Sequence, residues 1–354
     1  MKKKILIVVG STGGHYFPGI TLGEKIKEMK SEVYVFFAGE HKLKNLDVWR
    51  LRKLCFVPIP VLKRPHKAIL FPMKFFQAIF VLFRNLLFIM KTKPDLVVCL
   101  GSYTSLMIGL SAKLMKKPVI THEQNFVPGL ANKILNFIGI PVAISFSETT
   151  KYLKKTIHTG LPIRKEFLSE SDRMQDCGLL RDKKTIIVIG GSQGASFINN
   201  LVLNTVEKLK QRYQFIHITG RFDYERVSSF YRKEGIIGIV KDFTLELPIL
   251  MNFATIGIAR AGAGTIAELS YKGIPSILIP YRYGGAHQIH NAKWAENYGC
   301  VMLEEKDATP QKLINKLLIL EQEIEKRKKL FQSAKIADVD GKFAMHCLRM
   351  IGEK

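Results

Sequence analysis

A chain of 354 residues with 47% hydrophobic and 24% charged side chains is long enough for two ordinary domains and too apolar for a disordered one. Its 54 Lys+Arg against 30 Asp+Glu leave a formal charge of +24, which attracts nucleic acid, anionic membrane or phosphorylated small molecules. No RRM, KH or zinc-finger pattern supports nucleic acid, and the five cysteines (Cys55, Cys99, Cys177, Cys300, Cys347) lack a CxxC pair, which favours reduced structural thiols over a disulfide framework or a zinc site.

The chain opens on Met1-Lys2-Lys3-Lys4 and the apolar run Ile5–Val9. That run is too short for a signal peptide and no small-residue cleavage site follows, so it reads as the first strand. It hands over to Gly10-Ser11-Thr12-Gly13-Gly14-His15. A glycine loop here exposes backbone N–H groups, and the helix behind it adds partial positive charge; together they bind phosphate. Further short apolar runs follow at Val33–Ala38, Leu96–Gly101, Val119–His122 and Val142–Phe146, each with an amphipathic stretch behind it. Thr159-Gly160-Leu161-Pro162 marks a break. The pattern then restarts with Thr185–Ile189 and a second loop, Gly190-Gly191-Ser192-Gln193-Gly194. Phe215–Thr219, Ile236–Val240, Ile256–Ala259 and Ser276–Pro280 complete it.

Continuously apolar strands are buried on both faces, and their alternation with helices implies parallel sheets. The expected fold is α/β: two Rossmann-like, doubly wound parallel-sheet domains with a cleft between them, residues 1–162 and 163–340. The last amphipathic stretch, 341–354, is expected to pack back on the first domain.

Residues 62–93 stand apart. They hold seven Lys/Arg (Lys63, Arg64, Lys67, Lys74, Arg84, Lys91, Lys93) and no acid, among many Phe, Leu and Ile. The longest charge-free stretch, Phe75–Phe83, is far below the roughly 20 residues of a spanning helix. At about 100° per residue, Lys74, Gln77, Arg84, Asn85 and Lys91 share one arc, and the rest of the surface is apolar. Two readings fit: a core helix with a solvated basic edge, or an interfacial helix on anionic head groups. The unbalanced charge favours the second, with Lys67, Lys74, Phe75, Ile79, Leu82 and Arg84 as its contact patch.

Several blocks, in order, carry a resemblance. They are Gly10–Gly19, Gly101-Ser102-Tyr103, His122-Glu123-Gln124-Asn125, Gly160–Arg164, Gly190–Ala195, Arg260-Ala261-Gly262-Ala263-Gly264-Thr265 through Glu268, and His287-Gln288 with Asn291. The set resembles the MurG family of membrane-associated GT-B glycosyltransferases. The resemblance implies inverting transfer of GlcNAc from UDP-GlcNAc to the C4 hydroxyl of the MurNAc unit of undecaprenyl-pyrophosphoryl-MurNAc-pentapeptide, lipid I. It places the chain as a peripheral protein at the cytoplasmic face of a bacterial inner membrane, without signal peptide or spanning segment. It also implies partners in cell-wall synthesis and division, and no nucleic acid.

The resemblance assigns roles residue by residue. His15 is the candidate base, since an imidazole can be tuned near neutral pH; a helix-capping histidine is the plainer reading. Thr12, Gly13 and Gly14 let backbone approach the substrates. Glu268 accepts the ribose hydroxyls from the first turn of its helix, where the alternative is simply a favourable first-turn acid. Ser192 bonds a phosphate or merely caps a helix. Arg164 lies near the uracil, or is a surface arginine. Thr244 reads the uracil edge through its backbone, Gln288 and Asn125 hold the sugar, and Ala263, Gly264 and Thr265 line the diphosphate. Tyr103 and Glu123 fall on the acceptor side. No metal site or tightly bound cofactor is implied, with room left for Mg²⁺ held by substrate phosphates alone.

The sequence departs from the family at Ser11 and Ser102, where glycine is usual, at Leu161, where Asn or Asp is usual, and at Ala286, where an acid is common. Asp338-Val339-Asp340 imitates a metal-nucleotide DxD, but its place before the last helix favours a capping cluster. Competing functions are a GT-B transferase for another lipid acceptor such as diacylglycerol, an NAD(P) oxidoreductase with Glu40 as its ribose acid, and a non-catalytic membrane-surface binder. The first loop lacks Gly-x-Gly-x-x-Gly spacing, against the oxidoreductase; the His15, Arg164 and Glu268 set argues against the binder.

Overall fold

The computed structural model describes residues 2–10, 13–61, 71–168, 178–180, 182–191, 194–282 and 287–353, with side chains omitted at 71–75. The chain divides into two compact units, Met1–Arg164 with Asp338–Lys354, and Lys165–Ala337.

Unit 1 is built on a seven-stranded sheet of β1 (Lys4–Val8), β2 (Tyr34–Gly39), β3 (Phe56–Pro58), β4 (Leu96–Cys99), β5 (Val119–Glu123), β6 (Val142–Ile144) and β7 (Thr156–His158). The order is β3-β2-β1-β4-β5-β6-β7, all parallel. Its helices are α1 (Gly13–Met29), α2 (Asp47–Leu51), α3 (Phe71–Thr92), α4 (Ser102–Leu114) and α5 (Leu130–Phe137). β8 (Leu161–Pro162) lies where the chain leaves the unit. Unit 2 carries a six-stranded parallel sheet of β9 (Lys184–Ile189), β10 (Tyr213–Ile218), β11 (Gly238–Lys241), β12 (Ile256–Ala259), β13 (Ser276–Leu278) and β14 (Val301–Met302), in the order β11-β10-β9-β12-β13-β14. With it go α6 (Ser196–Leu209), α7 (Tyr224–Lys233), α8 (Leu247–Leu250), α9 (Ala263–Lys272), α10 (His287–Glu296), α11 (Pro310–Gln322) and α12 (Ile324–Gln332). The chain returns to unit 1 through β15 (Ala337–Asp338) and ends in α13 (Lys342–Met350).

The apolar runs became the central strands, buried on both faces: Leu6, Val8, Val97, Ile187 and Val188 have no exposed surface. Two apolar layers flank the first sheet. Ile20, Ile26, Phe343 and Cys347 fill one side, and Ile89, Ile108 and Leu135, from α3, α4 and α5, fill the other. The first layer seats α13 beside α1. Asp338 starts that helix: its carboxylate accepts from Lys342 N (2.7 Å) and Phe343 N (3.0 Å), so this half of the DxD is a cap. Cys99, Cys300 and Cys347 are buried free thiols and Cys55 is exposed; Cys177 lies outside the described residues.

In each sheet the strand order reverses beside the first strand, between β1 and β4 and between β9 and β12. A doubly wound sheet opens its ligand crevice at the carboxyl ends of such a pair. Both glycine loops stand there.

Among the described residues each unit also buries one histidine. His122, at 0% exposure, donates from Nε2 to Gly160 O (3.0 Å) and stacks on Phe343. His217 donates from Nε2 to Asn199 Oδ1 (3.0 Å), because both Asn199 amide hydrogens go elsewhere, to Thr219 O (2.9 Å) and Asp223 Oδ2 (2.8 Å). Tyr231 OH, at 3.2 Å, donates to His217 Nδ1. Both rings are therefore neutral. Burial lowers His122 to about 4, against the opposing pull of the Gly160 carbonyl, and lowers His217 to about 3. The unfolded chain takes up these protons near pH 6.5, the folded chain only near the lowered values. Stability is then complete above about pH 7 and is lost as pH falls toward those values, by about 2 kcal/mol per histidine at pH 5. Urea unfolding at pH 7.5 and pH 5 checks this; equal unfolding free energies would show that the rings are not held neutral.

Candidate active site

The site of unit 1 grows from the ends of β1 and β4. His15 lies in the first turn of α1, and its half-buried ring occupies the space that side chains at two glycines would need. A Cβ on Gly10 would stand 3.0 Å from His15 Cγ, and one on Gly101 would stand 3.4 Å from Nε2 and Cδ2. The imidazole thus rests on bare backbone from both sides of the switch point. Gly13 is buried at the head of α1, and nothing lies within 4 Å of a Cβ placed on Gly14, so the loop is open there. Ser11 and Thr12 lie outside the described residues.

Gly101 has φ +78° and Ser102 φ +77°. The second value is a departure with a cost: an L-residue in the left-handed region loses roughly 1–2 kcal/mol. Ser102 Oγ is buried without a hydrogen-bond partner among the described residues, so the hydroxyl returns nothing for the strain. Tyr103 is half-buried in the next position of α4.

The end of β5 supplies the third wall. Glu123 is buried and engaged at both oxygens. Oε1 accepts from Asn125 N (2.9 Å) and Nδ2 (3.2 Å), and Oε2 accepts from Gly129 N (2.9 Å) and Asn132 Nδ2 (2.7 Å). It clamps the loop that carries Asn125. Gln124, given no role from sequence, is buried, donates from Nε2 to Leu100 O (3.1 Å), and brings Oε1 near Gly101. A polar residue ending an apolar strand was the signal for it. Arg164 closes the unit with its guanidinium 5.8 Å from the centroid of Phe17.

In unit 2 the second loop is glycine by necessity. A Cβ on Gly190 would stand 2.5 Å from Ala195 N; one on Gly194 (φ +77°) would stand 2.6 Å from Thr219 O. Ser192 and Gln193 lie outside the described residues. The next loop leads into α9, which starts at Ala263. Glu268 sits in the second turn of α9, and the first turn holds no acid. This corrects the first-turn placement. Helical side chains lean toward the N-terminus, and the position one turn back is Gly264, with nothing within 4 Å of a Cβ there. Thr265 is half-buried beside Gly262.

Thr244 Oγ1 accepts from Glu246 N (3.0 Å), which commits its hydroxyl to the turn. Gln288, in the first turn of α10, accepts at Oε1 from Tyr281 N (3.0 Å). Asn291 is buried and donates to Ala261 O (3.1 Å), tying α10 to the loop before α9. Ala286 lies outside the described residues. Among the described residues no group of three metal-ligating side chains occurs.

A second surface of unit 1 is apolar. Along α3, Phe76 (70% exposed), Ile79, Phe80, Phe83, Leu87 and Met90 face outward, with Gln77, Arg84 and Lys91 exposed along one edge. Val81, Asn85 and Ile89 face inward. Asn85 is thus buried, contrary to its place on the basic arc: at four residues from each neighbour it falls on the packing stripe. Leu82 is half-buried and Ile79 half-exposed. Lys67 and the side chains of Lys74 and Phe75 lie outside the described residues. No described helix is long and apolar enough to cross a membrane.

Residues 5–142 match the model of the glycosyltransferase family 28 N-terminal domain, and residues 185–342 that of its C-terminal domain. The chain is 36% identical over 334 residues to the UDP-N-acetylglucosamine--N-acetylmuramyl-(pentapeptide) pyrophosphoryl-undecaprenol N-acetylglucosamine transferase of Thermodesulfovibrio yellowstonii, covering 89% of this chain and 90% of that one. It is 32% identical over 331 residues to the transferase of the same name from Aquifex aeolicus, covering 88% and 90%. The crystal structure of Acinetobacter baumannii MurG shares the fold with a TM-score of 0.76 at 21% identity over 99% of both chains. The expected pair of doubly wound domains is borne out.

Replacing Ser102 by Gly is expected to relieve the left-handed strain and raise stability by about 0.5–1 kcal/mol, after the greater entropy of unfolded glycine is subtracted. The urea midpoint of the S102G variant measures it, and a lowered midpoint would mean that the hydroxyl is bonded after all.

Proposed function

The chain belongs to the MurG family within glycosyltransferase family 28, and from that premise we propose that it transfers GlcNAc from UDP-GlcNAc to the C4 hydroxyl of the MurNAc unit of lipid I, with inversion. The reading is carried by the end-to-end identity to transferases of that name. It makes the chain an enzyme of peptidoglycan synthesis.

An inverting transfer needs a base for the attacking hydroxyl and stabilisation of the departing diphosphate. His15 is the base. Its glycine floor supports this, because a ring held between two backbone segments is preorganised. Thr12, Gly13 and Gly14 bring backbone to the reacting sugars. Asn125, on the loop clamped by Glu123, holds the transferred sugar together with Gln288. Tyr103 and Glu123 shape the acceptor side, Glu123 through that loop. In unit 2 the second glycine loop with Ser192, and Ala263, Gly264 and Thr265 at the head of α9, meet the diphosphate with backbone N–H groups and a helix N-terminus. Glu268 reaches along α9 to the ribose, and Arg164 and the Thr244 backbone take the uracil.

The acceptor hangs from a lipid, and the outward face of α3 suits it. Six exposed apolar side chains beside Arg84 and Lys91 match an interfacial helix on an anionic surface. The protein then works peripherally at the cytoplasmic face of a bacterial inner membrane, beside cell-wall synthesis and division proteins.

The deciding measurement is transfer of labelled GlcNAc from UDP-GlcNAc to a lipid I analogue; turnover on diacylglycerol alone would sink the acceptor assignment. In that assay His15→Ala is expected to cut kcat by at least about a hundredfold, the scale of a lost general base, while UDP affinity holds. Glu268→Ala should instead weaken UDP binding by about 1–3 kcal/mol through lost charge-assisted hydrogen bonds. A variant that exchanges these two signatures would reverse the roles.

Replacing Phe76, Ile79 and Phe83 together with Ser is expected to lower binding to phosphatidylglycerol vesicles at least tenfold, as fewer apolar groups enter the interface. The fold should persist, since all three face outward. Undiminished vesicle binding by the folded variant would remove α3 from the docking surface.

A further inference from the structure

We infer that Glu305 is a positioning residue that fixes the polarity of the Gln288 amide, an inference that rests on the donor-sugar reading of Gln288 above. Glu305 belongs to none of the sequence blocks; it sits in the short helical turn Glu305–Asp307 that follows β14. Its carboxylate pairs with Nη2 of Arg260, a residue only 8% exposed at the end of β12. The same guanidinium donates from Nη1 to Ile279 O (3.1 Å) and lies 5.4 Å from the ring centroid of Tyr281.

One planar, always-charged group thus has three fixed neighbours. Two of them, the Ile279 carbonyl and the Tyr281 ring, belong to the chain just past β13. The pair with Glu305 holds the guanidinium in the plane that serves both. Tyr281 then presents its backbone N–H to Gln288 Oε1 at 3.0 Å. Of the two ends of an amide only the oxygen accepts a backbone N–H, so the Gln288 amide has a single orientation, with Oε1 on Tyr281 N. Gln288 therefore keeps its Nε2 donors for a ligand, where they pair with the lone pairs of a sugar hydroxyl or acetamido oxygen. Loosening the brace lets the amide turn either end outward, and only one end suits the sugar.

The test is a double-mutant cycle. Glu305→Gln keeps volume and hydrogen bonding but removes the charge. It is expected to lower kcat/KM for UDP-GlcNAc about tenfold while the Kd of UDP, which lacks the sugar, changes less than twofold. In a Gln288→Ala background the same substitution should change kcat/KM less than twofold, because the amide it orients is gone. Equal fold-losses in the two backgrounds overturn the inference. So does a loss of UDP affinity that matches the loss of kcat/KM, which is the signature of a merely structural ion pair. Should Glu305→Gln not fold, Tyr281→Leu removes the ring but keeps the N–H, and the same non-additivity with Gln288→Ala is required of it. Absence of GlcNAc transfer by the unsubstituted enzyme fells the donor reading and the inference with it; intact transfer with additive losses fells the inference alone.

Discussion

The first unit's site depends on one close approach, the imidazole of His15 against the backbones of Gly10 and Gly101. A Cβ at either position would stand 3.0–3.4 Å from the ring, nearer than almost any real contact at Gly10. The two glycines end neighbouring strands, β1 and β4, on opposite sides of the switch point. The switch point of a doubly wound sheet brings two such strand ends side by side with a helix rising from each. The fold therefore seats the His15 ring against two bare backbone segments, and the glycines are needed for the space they leave empty as much as for the phosphate they can face.

The second unit solves its positioning problem with charge and hydrogen bonds. Asn199 joins α6 to the end of β10 through Thr219 O, and Asp223 and His217 complete its partners. Asn291 joins α10 to the loop before α9. Arg260 joins the ends of β12 and β13. Each bond ties neighbouring segments together at the carboxyl edge of one sheet. Such satisfied polar groups specify one arrangement where apolar packing would tolerate several.

The central strands were legible because burial on both faces writes them as unbroken Val/Ile/Leu runs. The outer strands β3, β7 and β14 were not: Phe56–Pro58, Thr156–His158 and Val301–Met302 are short and only partly buried, so they carry no period to read. Glycine loops and their spacing showed where ligands approach, but not which polar side chains hold those loops. Glu123 was legible as a motif member, while its four bonds to the loop after β5 depend on tertiary placement. Glu305 lies some 45 residues beyond Arg260 and has no local pattern at all. Glu268 was misplaced by one turn because the start of α9 is set by Gly262 and Ala263, where no side-chain cap marks the boundary.

The orientation of α3 carries information that its sequence alone leaves ambiguous. On burial energy alone, at about 25 cal/mol per Å², the helix should turn Phe76, Phe80 and Phe83 to the core. It turns Val81, Asn85 and Ile89 inward instead, and neither amide atom of Asn85 has a hydrogen-bond partner among the described residues. Close packing on α4 explains the smaller inner residues, since Ser111 Oγ comes within 3.5 Å of Leu82 O and bulky rings would not fit that seam. It does not explain why the outer face is richer in aromatic rings than the inner one. A surface that remains in water gains nothing from such rings, and a large exposed apolar stripe marks a partner phase. The anionic membrane proposed above would supply that phase and also a counter-charge for Arg84 and Lys91. The proposed lipid-borne acceptor then brings its sugar to the same unit that holds His15.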